Sequence, residues 1–129
     1  MKKLRQQKTI IIISIFISVI LLASCATTTT QSYEKNVFKA LNMAATTYEN
    51  TMETIGDAYK KGMISESVKA SIIEKANIYW KTYHSAVLSY EIYLRQKNDT
   101  SKAKLENTMK NMNSALVQFL QISQSNLEK

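Results

Sequence analysis

Few residues of this chain are equipped for chemistry, and the most reactive is Cys25, whose thiolate is both a nucleophile and a soft ligand. It is the single cysteine, so no disulfide closes within the chain and any partner for the sulfur comes from outside it. His84 is the single histidine. Acid–base work by it requires a nucleophile or an orienting acid within hydrogen-bond reach, and no spacing in the sequence supplies one. Glu49, Glu53 and Asp57 recur at i, i+4 and i+8, which sets three carboxylates on one helix face. Like charges at that spacing disfavour an isolated helix by about 0.2–0.5 kcal/mol per pair. A metal site would need a second ligand set, such as a Glu-x-x-His pattern on a facing helix, and the sequence has none. The trio reads as a solvated face. Together with Tyr93, which lies off the apolar stripe of its helix, it is the candidate partner face. A Gly-rich phosphate loop and a nucleophile elbow are both missing. The expectation is a protein that is not an enzyme, with no catalytic residues, no metal and no diffusible cofactor.

The segment that leads to Cys25 explains the sulfur better than catalysis does. Lys2, Lys3, Arg5 and Lys8 carry four positive charges with no acid among them. Residues 10–23 are then apolar except for Ser14 and Ser18. A basic start, an apolar core and small residues before a cleavage point are the parts of a secretory signal. The core is about 14 residues, roughly 21 Å as a helix at ~1.5 Å per residue, whereas a hydrocarbon core of ~30 Å calls for about 20. A cleaved signal is thus favoured over a permanent span. An uncleaved anchor is the rival, because no charge occurs between Thr9 and Tyr33.

Leu22-Ala23-Ser24-Cys25 closes this segment with a branched aliphatic residue, two small residues and the cysteine. The stretch resembles the lipobox of bacterial lipoproteins. The resemblance covers residues 1–25 only. It implies a diacylglyceryl thioether on Cys25, cleavage between Ser24 and Cys25, and further acylation, with palmitate among the chains, on the new amine. Two or more acyl chains hold a protein firmly at a membrane, since each buried CH₂ contributes ~0.8 kcal/mol. Ala26 rather than Asp after the cysteine points, by analogy with enterobacterial sorting, to the outer membrane of a cell that has one. On this reading residues 1–24 are the signal peptide, and residues 25–32 are the lipidated cysteine and a short polar tether. Residues 33–129 are then an extracytoplasmic body.

Composition bounds that body. The net charge is +7, and four of the positive charges lie before Thr9, which leaves +3 for the rest. Nucleic-acid binders carry a clustered basic face, and none is present, so no nucleic-acid partner is expected. There is no proline and only two glycines, Gly56 and Gly62, which argues for long uninterrupted helices. The periodicity agrees. Tyr33, Val37, Leu41, Ala44, Tyr48, Met52, Ile55 and Tyr59 step by 4-4-3-4-4-3-4, and Gly62 is the stop that tolerates a left-handed backbone. Ser65 is an N-cap. Val68, Ile72, Ala76, Tyr79, Tyr83, Val87, Tyr90 and Leu94 then repeat the same steps. Both runs return every eleven residues, the signature of nearly straight helices. Ile73, Trp80, Leu88 and Ile92 widen the second stripe and predict that this helix is the most buried. After a turn at Asn98-Asp99-Thr100-Ser101 the third stripe is Leu105, Met109, Met112, Leu116, Leu120, Ser123 and Leu127, with Phe119 beside it.

The expected fold is all-α, an antiparallel up-down-up three-helix bundle with helices over about 33–61, 66–97 and 102–127. Position i of the first helix should face about 127 − i of the second, and position i of the second about 198 − i of the third. The expected role is a small, non-enzymatic lipoprotein of the cell envelope, a protein-interaction or structural component. Its partners are the membrane through the lipid, and a protein or a second copy of itself. The alternative is a carrier of a small apolar ligand, marked by a pocket of tyrosines and methionines between the helices.

Overall fold

The computed structural model describes residues 29–127. Cys25 and its flanking Leu22, Ala23 and Ser24 lie outside the described residues. Three helices make up the described chain: α1 (Thr30–Lys60), α2 (Glu66–Gln96) and α3 (Asp99–Leu127). No strand occurs among the described residues. Residues 29–40 belong to one compact unit and residues 41–129 to a second. The packing below is that of the second, a three-helix bundle.

Each helix begins and ends for a local reason. The Thr29 hydroxyl accepts from the Ser32 amide at 3.4 Å and its carbonyl accepts from Tyr33 at 3.1 Å. Helix α1 therefore starts three residues before the apolar stripe does, and it takes Thr30–Ser32 out of the expected tether. At the other end Gly62 sits at φ 70°. The Gly62 amide donates to the Tyr59 carbonyl and the Met63 amide to the Ala58 carbonyl, both at 2.9 Å. This is the Schellman pair of bonds, and it uses the left-handed residue that glycine supplies without strain. Ser65 caps α2, its hydroxyl accepting from Val68 N–H at 3.3 Å. No glycine follows α2, and Lys97 takes the left-handed position instead at φ 46°. Asn98 then caps α3 through Oδ1, which accepts from the Ser101 amide at 2.8 Å. The expected four-residue turn is thereby reduced to Lys97 and Asn98, and α3 begins at Asp99.

The register between helices follows the expected offsets. Tyr48 of α1 stacks on Tyr79 of α2 with ring centroids 5.1 Å apart, as 127 − i requires. Tyr79 stacks on Phe119 of α3 at 6.4 Å, as 198 − i requires. The seam itself differs from the expected one. Ile72, Tyr79, Ala86 and Tyr93 are buried on α2, and Leu105, Met112 and Phe119 on α3. Both sets step by seven, the repeat of a wrapped helix pair rather than the eleven-residue repeat of straight ones. Helices α2 and α3 bring their backbones closest together. Small residues along that seam permit the approach: Ala76, Ala86 and Ser89 on α2, Ser101, Ala115 and Ser123 on α3, all buried. Against α1 the rings of Tyr48, Tyr79 and Phe119 fill the space instead.

Candidate docking site

The seven-residue seam turns part of α2 outward. Ile73, Trp80 and Leu88 were expected to widen the buried stripe. They are instead 38%, 44% and 58% exposed. The reason is angular: on a helix, residues 73, 80, 84 and 88 lie within one quadrant, and that quadrant points away from the seam through Ile72, Tyr79 and Ala86. Tyr93 requires the opposite correction. It was expected on an exposed partner face and is buried at 5% exposure, because it is the last step of the same seam.

Trp80 is 44% exposed, yet its ring is in contact on several sides. Its ring stacks on Tyr48 at 5.6 Å and on Tyr83 at 5.7 Å. Tyr48 rests in turn on Tyr79 and, at 5.4 Å, on Phe119. Phe119 and Tyr79 are fully buried, so the stack runs from the centre of the bundle to its surface. Offset-stacked and tilted pairs of this kind contribute about 0.5–1.5 kcal/mol each beyond the area they bury. His84 closes the outer end, its imidazole edge-on to Trp80 at 4.6 Å and to Tyr83 at 6.1 Å. These are edge-to-face ring contacts of the kind aromatic packing favours.

One member of the stack carries a cost. Tyr79 Oη is buried and has no hydrogen-bond partner among the described residues. Burial, then the neighbouring Tyr83, Tyr48 and Glu49, pushes its ionisation well above the usual phenol range.

The acidic trio is solvated, with Glu49, Glu53 and Asp57 all exposed. Asp57 pairs with Lys60 at 3.8 Å, both side chains largely in solvent, an arrangement worth at most about 1 kcal/mol. No group of three metal-ligating side chains occurs among the described residues. A more connected charge cluster sits at the α1–α2 corner, where Tyr59 Oη donates to Glu66 Oε2. Lys69 Nζ lies 3.0 Å from Glu66 Oε1 and 3.8 Å from the centre of the Tyr59 ring. The Tyr59 hydroxyl, then Lys69, holds the Glu66 carboxyl below its ordinary range.

Tyr48, Tyr79 and Tyr83 contact one another through their rings. A shallow open groove between α1 and α3 is lined by Asn50, Thr51, Thr54, Leu120, Gln124 and Leu127, with no tyrosine or methionine. No described helix is long and apolar enough to cross a membrane. The signal for the outward face was present in the sequence as the spacing Ile72, Tyr79, Ala86, Tyr93. It was masked by the equally apolar track through Val87, Tyr90 and Leu94. Comparison of the chain with protein-family models, with curated proteins and with solved structures finds no match.

Proposed function

We propose that this chain is a lipid-anchored component of a bacterial cell envelope that docks a protein close to the membrane and carries out no catalysis. The observation that carries the reading is Leu22-Ala23-Ser24-Cys25 behind a basic start and an apolar run, which resembles a lipobox. The exposed apolar quadrant of α2 supports docking. Trp80 is an exposed aromatic anchor, a residue type that binding hot spots favour, flanked by exposed Ile73 and Leu88. Helix α1 starts at Thr30, so the chain between Cys25 and the helix reaches at most ~17 Å at ~3.3 Å per residue. The lipid would hold the start of α1 at the membrane surface, in a cell with two membranes at the outer one.

The test is metabolic labelling with a palmitate analogue, comparing the parent chain with Cys25→Ala. The expected result is a labelled parent that sediments with membranes and an unlabelled variant that retains residues 1–24. An unlabelled parent, or a labelled Cys25→Ala chain, overturns the reading.

A further inference from the structure

We infer that the outward quadrant of α2 is a homodimer surface, and that two copies pack it antiparallel about a two-fold axis between Trp80 and Lys81. This rests on the reading that the face docks a protein, and it names the partner as a second copy of the chain.

The argument is the order of residues along the face. Glu66, Ala70, Ile73, Asn77, Trp80, His84, Leu88, Glu91 and Arg95 step by three or four, so they form one strip, and all are exposed. Antiparallel pairing about that axis sets position i of one copy against 161 − i of the other. Each pairing then occurs twice, as an isologous interface requires. Ile73 meets Leu88, apolar on apolar. Asn77 meets His84, an amide against an imidazole. Trp80 meets Lys81, whose aliphatic stem covers the exposed part of the indole while its ammonium reaches solvent. At the two ends Glu66 meets Arg95, opposite charges at the rim, where they steer orientation. A parallel pairing in register would set Glu66 on Glu66, Glu91 on Glu91 and Arg95 on Arg95, with like charges at every charged position. Glu91 meets Ala70, and Glu66 also keeps Lys69 beside it, so the antiparallel pairing sets no like charges of the strip against each other, whereas the parallel one does so at every charged position. Trp80 at the centre is already fixed by Tyr48 and Tyr83, so little side-chain freedom is lost on pairing.

The experiment is disulfide trapping with full-length protein in lipid nanodiscs or mild detergent. Two differently tagged single variants, Asn77→Cys and His84→Cys, are prepared separately, mixed and oxidised. The expected result is a cross-linked heterodimer in the mixture, at least tenfold more abundant than like-with-like products from either variant alone. Two copies of the same variant set their introduced cysteines about 10.5 Å apart along the helix axis, too far to bridge. Leu88→Glu in both partners should reduce trapping about tenfold or more while circular dichroism stays helical. Predominant like-with-like products, trapping unaffected by Leu88→Glu, or a chain that sediments as a monomer at every concentration overturns the inference. A monomer that still takes up palmitate overturns the dimer and leaves the anchoring intact.

Discussion

Replacing Tyr79 by Phe should make the protein more stable, although it removes a polar group from the best-packed point of the core. The ring keeps its neighbours, Tyr48 at 5.1 Å and Phe119 at 6.4 Å. Only Oη is lost, and Oη has no partner among the described residues. A buried polar group without a hydrogen bond costs about 1–3 kcal/mol relative to its hydrated state, so the gain expected from Tyr79→Phe is about 1–2 kcal/mol. For a body of this size 1 kcal/mol moves the melting temperature by about 4–8 °C. Urea unfolding followed by circular dichroism reads the gain as a higher midpoint with an unchanged slope. Alkaline pH supplies a second readout. Burial raises the Tyr79 ionisation in the folded state, while the unfolded phenol titrates near 10. Above about pH 10 the unfolded chain binds fewer protons than the folded one, so stability falls as pH rises. The Tyr79→Phe variant should lose part of that decline. A variant less stable than the parent by 1 kcal/mol or more, with the same alkaline decline, would refute the argument and assign the hydroxyl a partner.

Three other outcomes follow from the caps and the corner cluster. Gly62→Ala should destabilise by about 1 kcal/mol, because a Cβ at φ 70° is strained, whereas Lys97→Gly should stabilise by about 0.5–1 kcal/mol at the same kind of position; urea midpoints of the pair should move in opposite directions. Asn98→Ala should cost about 1 kcal/mol by removing the α3 cap, measured in the same way. Glu66 is held below its ordinary ionisation range by Tyr59 and Lys69. Its contribution is therefore present above the unfolded value and lost as pH falls through the folded one. Stability curves below pH 5 should be flatter for Glu66→Gln than for the parent.

Backbone chemistry was the most legible part of the sequence. Gly62 and Ser65 mark their helix ends because each supplies something specific, a tolerated left-handed backbone or a capping oxygen. Loop centres near Met63 and Asp99 then fix the register, which the Tyr48–Tyr79 and Tyr79–Phe119 contacts follow. The start of α3 was read late because Asn98 caps the helix while its neighbours Asp99 and Thr100 resemble turn residues equally well. The faces of α2 were less legible. Ala86 and Ser89 weigh little in a count of apolar residues, yet they mark where α2 and α3 come closest. Trp80 and Leu88 weigh heavily, yet they lie outside the seam. Hydrophobicity says that a side chain gains from being covered, and only the assembled helices decide what covers it.

The position of the one tryptophan has a practical consequence. An indole in van der Waals reach of several phenol rings accepts their excitation, so light absorbed by Tyr48, Tyr79 and Tyr83 emerges as Trp80 emission. The same fluorophore faces solvent on its other side, where contact with another surface would shift its colour towards the blue. A single optical channel therefore reports two events at once: melting of the interior, through the loss of energy transfer, and occlusion of the outer face, through the emission maximum.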